Sequence, residues 1–197
     1  TPRRHCAALM ATGTLYLIPV SLGPAPLTLT TPTEVTSRAR SLDYFVVENA
    51  KTARAELKRF KHPAPLRDLD IRELPEKPGH ADLDALLAPL LAGRDGGLMS
   101  EAGCPAVADP GALLVRRAHE RGVTVAPLVG PSSLLLALMA SGLDGQSFAF
   151  HGYLPIDDEA RKRRIRELET ESARHSRTQL FIETPYRNDR MLEALKA

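Results

Sequence analysis

Apolar residues lie along this chain in short unbroken runs, separated by stretches whose apolar positions recur every three or four residues. Leu15-Tyr16-Leu17-Ile18, Tyr44-Phe45-Val46-Val47 and Val123–Val129 read as buried strands, and Leu98-Met99 as the end of another. Helical patterns lie between them. Thr33–Ser41 is opened by Pro32, and Thr52–Phe60 follows the second strand. Asp82–Leu91 turns Leu83, Leu86, Leu87, Leu90 and Leu91 inward, and Ala112–Arg121 gathers Leu114, Val115 and Ala118 on one face. Lys61–Gly79 is rich in proline and charge and holds one edge strand around Ile71–Leu74, and Leu134–Ser141 is a further helix. Strand and helix thus alternate, which predicts the α/β class, with a mainly parallel sheet covered by helices. The texture changes around Leu143–Gly152. Phe148–Tyr153 and Gln179–Glu183 then read as strands, Asp157–Ala173 as a charged helix, and Asp189–Ala197 as the start of another. The expected organisation is an N-terminal α/β domain over residues 13–143 and a smaller α/β C-terminal domain over residues 144–197. The smaller domain is expected to continue past Ala197, and the chain to start upstream of Thr1.

In parallel sheets, ligands bind beyond the carboxyl ends of the strands. Four loops fall at that edge: Pro19–Gly23, Glu48–Lys51, Ser100–Asp109 and Gly130–Ser133. The longest, within Leu98–Gly111, is built of small residues that let a ligand approach the backbone. Asp109 is expected to cap a helix opened by Pro110, whose positive end faces the loop. Glu101, Glu48 and Lys51 are the candidate groups for moving a proton at this edge. The plainer alternatives are that Glu101 only bonds loop amides and that Glu48 only pairs with Lys51. Cys104 reads as a small wall residue rather than a nucleophile, and His151 as a packed or hydrogen-bonded side chain rather than a base.

Composition changes little in this picture. Of 197 residues, 43% are apolar and 25% charged, as in ordinary soluble domains, and the net charge is only +2. Cys6 and Cys104 are the only cysteines, which excludes a disulfide scaffold and predicts a reducing, cytoplasmic setting. Histidine and cysteine show no metal-ligand spacing, so no metal is expected. No apolar run approaches the roughly 18 residues of a membrane span, so no membrane partner is expected. Arg3 and Arg4 before the apolar Cys6–Ala11 loosely imitate a signal peptide, but the stretch is short and leads straight into a strand. The charge is unevenly placed: Arg161-Lys162-Arg163-Arg164-Ile165-Arg166 concentrates cations on one helix. A solvated face is the default reading of such a run. The alternative is a phosphate-binding rim for RNA, with Arg161, Arg163 and Arg164 on an exposed arc and Ile165 and Leu168 inward.

Taken together, LYLIPVSLG (Leu15–Gly23), MSEAGCPAVADPG (Met99–Gly111), GPSS (Gly130–Ser133), GYLP (Gly152–Pro155) and ETPYR (Glu183–Arg187) resemble the tetrapyrrole-methylase superfamily in order and spacing. The closest likeness is to the branch that methylates a cytidine ribose 2′-oxygen in small-subunit ribosomal RNA. The resemblance covers nearly the whole chain after residue 13, and its specific part is the Ser-Glu-Ala-Gly-Cys-Pro…Asp-Pro-Gly segment. It implies a two-domain methyltransferase, usually a homodimer, holding S-adenosylmethionine in a cleft between its domains. Carried over by motif position, Leu22, Ser100, Ala102, Gly103, Cys104, Val107, Ser132 and Ser133 would line the cofactor, with Ile182 and Glu183 approaching from the second domain. The branch usually has an Asp-Thr-Arg type sequence after the second strand, where this chain has Glu48-Asn49-Ala50-Lys51. Methyl transfer from a sulfonium is an in-line displacement, served largely by positioning, so a sparse catalytic constellation is expected. Ribosomal RNA is the expected substrate. The alternatives are methylation of a tetrapyrrole or other metabolite, and a non-catalytic member that binds cofactor or RNA.

Overall fold

The computed structural model describes residues 11–196. The Arg3-Arg4 pair and the apolar stretch up to residue 10 lie outside them. The chain divides into two compact units, one running to Ser132 and one from Ser133. The helix Ser133–Ser141 therefore groups with the second unit, one element earlier than the expected boundary at 143/144.

In the first unit, strands β1 (Thr14–Leu17), β2 (Tyr44–Val47), β3 (Asp70–Glu73), β4 (Gly96–Met99) and β5 (Thr124–Pro127) form one sheet in the order β3-β2-β4-β1-β5. Every pairing is parallel. The connecting helices are α1 (Leu27–Thr30), α2 (Thr33–Ser41), α3 (Ala50–Arg59), α4 (His80–Leu91) and α5 (Gly111–Glu120). The two faces of the sheet carry separate cores. Leu15, Tyr44, Val46 and Leu98 pack beneath Leu83, Leu87 and Leu90 of α4 and Leu114 and Ala118 of α5. Phe45, Val47 and Met99 pack against Val35 and Ala39 of α2 and Ala53 and Leu57 of α3. Successive residues of β2 thus serve opposite cores, which is why its sequence is apolar without a break.

Two details depart from the expectation. The strand Val123–Val129 is not buried throughout: β5 is an edge strand with Thr124 and Pro127 exposed. The short helix α1, not expected from the sequence, begins directly after the loop that Pro24 and Pro26 punctuate.

In the second unit, α6 (Ser133–Ser141) precedes β6 (Phe148–Tyr153), α7 (Asp158–His175), β7 (Thr178–Ile182) and, after a 3-10 turn at Pro185–Arg187, α8 (Asn188–Lys196). Strands β6 and β7 pair in parallel, with a register shift between Phe150 and Tyr153. Leu154, Leu168 and Met191 form the core, with Ile165 and Phe181 packed against it. Asp157 caps α7, its carboxylate accepting from the Ala160 amide at 2.8 Å. No helix among the described residues is long and apolar enough to cross a membrane.

Candidate functional site

The loops beyond the carboxyl ends of β1, β2, β4 and β5 meet within the first unit. After β1 the chain stays beside the long loop, with Val20 and Gly103 exchanging amide-to-carbonyl bonds of 2.9 Å in both directions. After β2, the Glu48 amide donates to the Met99 carbonyl, and the Glu48 carboxylate accepts from the Glu101 amide at 3.1 Å. After β5, Gly130 passes so close to Pro19 that a Cβ on it would stand 2.1 Å from the proline Cβ. Pro131 is tied to the long loop by the Cys104 thiol, which donates to its carbonyl at 3.5 Å. Four separate loops are thereby locked into one wall.

The long loop owes its shape to backbone conformation. Gly103 has φ +73°, which side chains rarely adopt, and an added Cβ would meet the Leu22 Cδ2 at 3.4 Å. Ala106 and Ala108 also lie in the left-handed region, at φ 67° and 61°. Such a conformation costs a non-glycine residue about 1–2 kcal/mol each, and persists where surrounding contacts over-determine it. Here the Asp109 carboxylate supplies them, accepting from the Ala106 amide with both oxygens at 3.0 Å and from the Gly111 amide at 2.7 Å. Asp109 therefore reaches the helix terminus as expected, but α5 starts at Gly111 and the same carboxylate folds the loop back on itself. Burial raises the Asp109 carboxyl above the ordinary value. Its bonds from the Gly111, Ala106 and Val107 amides oppose that rise, and the charge of Glu48 adds to it. Burial likewise raises the Cys104 thiol, which fits a wall residue rather than a nucleophile.

Ser100 is buried and its hydroxyl donates to the Ala102 carbonyl. Ala102, Val107 and Leu22 are exposed, the last two at 48% and 40%. Ser132 ends the first unit beside Pro131, and Ser133 opens α6 in the second. Glu48 and Lys51 form no ion pair among the described residues, and the Glu101 and Lys51 side chains are exposed. Asn49 caps α3, its side-chain oxygen accepting from the Lys51 and Thr52 amides at 3.0 Å. An Asp at this position would accept the same two bonds, so the Asn49-Ala50-Lys51 sequence keeps the cap and the cation of the pattern it replaces.

In the second unit, Ile182 ends β7 and the Glu183 carboxylate is engaged locally. It accepts from the Thr184 amide at 2.8 Å and pairs with Arg187 at 2.8 Å. His151 lies between the Gln179 side chain, 2.5 Å from Nε2, and Arg164, 3.3 Å from Nδ1. It is a hydrogen-bonded strand residue. The cationic helix corrects one expectation. Arg161 is only 5% exposed, donates to the Ile156 carbonyl and pairs with Asp158, so it leaves the exposed arc and braces the turn before α7. Arg164 is half-buried and paired with Glu167. Arg163 stays exposed, on a face of α7 that also carries Lys162, Arg166 and Arg174 among Glu159, Glu167 and Glu171.

Two residues were not singled out from the sequence. Arg187 entered only as the end of the Glu183–Arg187 motif, although it closes the Glu183 turn. Glu56 on α3 was missed altogether, although a carboxylate within the apolar stripe Ala53, Glu56, Leu57 was the available signal.

No protein-family model matches the chain. Several curated proteins do. The chain is 34% identical over 177 residues, 88% of its length, to a protein of Vibrio cholerae named ribosomal RNA small subunit methyltransferase I, of which it covers 56%. It is 31% identical over 189 residues, 94% of its length, to the protein of the same name from Escherichia coli O157:H7, covering 60% of it. With that of Mesorhizobium japonicum it shares 41% identity over 110 residues, 56% of this chain and 36% of the relative. The chain thus spans about three fifths of the length of the first two. Among solved structures, a Thermus thermophilus uroporphyrin-III-C-methyltransferase aligns at 21% identity and TM-score 0.47, over 74% of this chain and 65% of that one.

Proposed function

Because this chain belongs to the family of the ribosomal RNA small subunit methyltransferase I proteins, within the tetrapyrrole-methylase superfamily, we propose that it serves an S-adenosylmethionine-dependent methyltransferase acting on small-subunit ribosomal RNA. The acceptor in this reading is a ribose 2′-hydroxyl, and the work is done in the cytoplasm by a homodimer. The observation that carries it is the wall of four interlocked loops beyond the parallel strands, which holds the most specific motif of the chain in a strained, predetermined shape.

The residues of that wall fit such a cofactor. Gly103 is buried beneath Leu22 and lets the loop fold close to it, while Leu22 and Val107 offer exposed apolar contacts for a nucleoside. Glu48, Glu101 and Asp109 give this edge a negative character that suits a sulfonium cation. When bound, the cofactor supplies a methyl group activated for in-line displacement. The chain's part is to hold the acceptor at attack distance and to exclude water. Glu101, with its exposed carboxylate and its amide fixed by Glu48, is the side chain suited to orient an acceptor hydroxyl or take its proton.

A second reading, methylation of a tetrapyrrole or other small metabolite, draws support from α7, where Arg161 is buried and the exposed cations alternate with glutamates. One experiment separates the two. The intact protein is incubated with methyl-labelled S-adenosylmethionine and either small-subunit ribosomal RNA or 30S particles. Label in the ribose of the RNA is expected. Cofactor binding without label in either RNA preparation would overturn the RNA reading.

A further inference from the structure

Glu56 is 4% exposed on the inner face of α3, among Ala53, Leu57 and Phe60. Neither the motifs nor the proposed chemistry uses it. Its Oε1 accepts from the Ser21 amide at 3.1 Å and from the Ser21 hydroxyl at 2.5 Å. Its Oε2 accepts from Arg59 at 3.0 Å, and the same guanidinium donates to the Ala25 carbonyl at 2.7 Å and, at 3.4 Å, to that of Gly23. One turn of α3 thus grips the loop after β1 at Ser21, Gly23 and Ala25. Ser21 directly follows Val20, which is bridged to Gly103, and directly precedes Leu22, which overlies Gly103.

An apolar residue would pack in this stripe without desolvating a charge, and buried ion pairs add little to stability over such packing. What a carboxylate adds is direction. It accepts bonds only in fixed geometry, and it fixes the Ser21 amide that the loop would otherwise leave to water. We propose that Glu56, with Arg59 as counter-ion, is a positioning residue that presets the Ser21–Leu22 segment against Gly103 and so holds the cofactor wall in its binding shape. This deepens the cofactor reading given above and rests on it for the ligand, though not for the loop.

The test uses the intact protein and the variants Glu56→Ala, Glu56→Gln and Ser21→Ala. Loss of one buried hydrogen bond corresponds to about tenfold in an equilibrium constant. S-adenosylmethionine binding by calorimetry should weaken about tenfold or more in Glu56→Ala. It should be largely restored in Glu56→Gln, which keeps an acceptor, and should weaken to a smaller degree in Ser21→Ala. Amide hydrogen exchange, read without ligand, should speed up in residues 20–25 of Glu56→Ala while the strands stay protected. Exchange in that loop equal to the wild type overturns the inference, whatever the cofactor data show. Faster exchange throughout the molecule also overturns it, since the role is then stability alone. If the wild type binds no S-adenosylmethionine while exchange rises only in the loop, the positioning role stands and the cofactor reading falls.

Discussion

Single residues decide the site through backbone conformation more than through reactive side chains. Gly103 combines φ +73° with a position where a Cβ would already touch Leu22 at 3.4 Å and the Pro131 carbonyl at 3.7 Å. Gly103→Leu should therefore abolish cofactor binding in calorimetry while leaving the circular dichroism of the fold unchanged, and normal binding would move the site elsewhere. Gly130 faces a harder limit, since its Cβ would overlap Pro19 at 2.1 Å. Gly130→Ala must push the two loops apart and should lower the melting temperature as well as the affinity, in line with about 1–3 kcal/mol for overpacking. Both glycines were visible in the sequence as loop residues. Gly103 was also expected to line the cofactor, whereas the close approach of Gly130 to Pro19 was not legible, because Pro19 lies far along the chain. The same holds for Glu56, whose partner Ser21 lies thirty-five positions away. Cys104, read as a small wall residue because a lone thiol among small residues had no histidine to activate it, is seen to bond the Pro131 carbonyl.

At the scale of elements, the buried strands were legible because short unbroken apolar runs leave few alternatives, and β2, an apolar run between Asp43 and Glu48, is observed over the same residues as expected. Edges were read unevenly: β3 falls where an edge strand around Ile71–Leu74 was expected, shifted by one residue, whereas β5 carries exposed positions in a stretch expected to be buried. Ion pairs compensate at β3. Asp70 is held by Arg72 at 2.9 Å and by Arg94 at 3.0 Å, and Arg94 also reaches Asp43 at the start of β2. The hydrogen bond from Arg72, followed by Arg94, lowers the Asp70 carboxyl below its ordinary 3.8. A depressed carboxyl contributes stability above its unfolded value and loses it as pH falls through the folded one. Asp70→Asn should therefore destabilise the protein at pH 7, by up to about 1 kcal/mol for a pair this exposed. The difference should shrink in matched urea titrations as pH falls from neutral through the depressed Asp70 titration. A gap that persists in acid would mean that the side chain acts through packing instead. The cap of α3 offers a second measure: Asn49→Ala should cost about 1 kcal/mol and loosen the turn that presents Glu48.

For the whole molecule, alternation of strand and helix was enough to predict a parallel sheet, and the carboxyl-edge rule enough to predict which loops would meet. Charge at this scale was read less well. A run of five cations in six positions suggested one exposed arc, yet helical geometry and a short connection turn Arg161 inward to the Ile156 carbonyl. The exposed face of α7 is left with Lys162, Arg163, Arg166 and Arg174 against Glu159, Glu167 and Glu171, a small positive excess in a protein whose net charge is +2. If ribosomal RNA docks on this face, the contacts must run through Arg163, Arg166 and Arg174, because Lys162 and Arg164 already meet glutamates. Each phosphate contact contributes about 0.7–0.9 to the slope of log affinity against log salt. The triple variant Arg163→Ala, Arg166→Ala, Arg174→Ala should then lower the slope by about 2 to 3 units, weaken binding evenly across RNA sequences, and leave S-adenosylmethionine affinity as it was. The companion Arg161→Ala should act differently. Removing a buried guanidinium frees the Ile156 carbonyl and Asp158, so it should lower the melting temperature without changing the salt slope. Equal slopes for the wild type and the triple variant would take α7 out of substrate binding. The weight would then shift to an acceptor small enough to need no cationic rim.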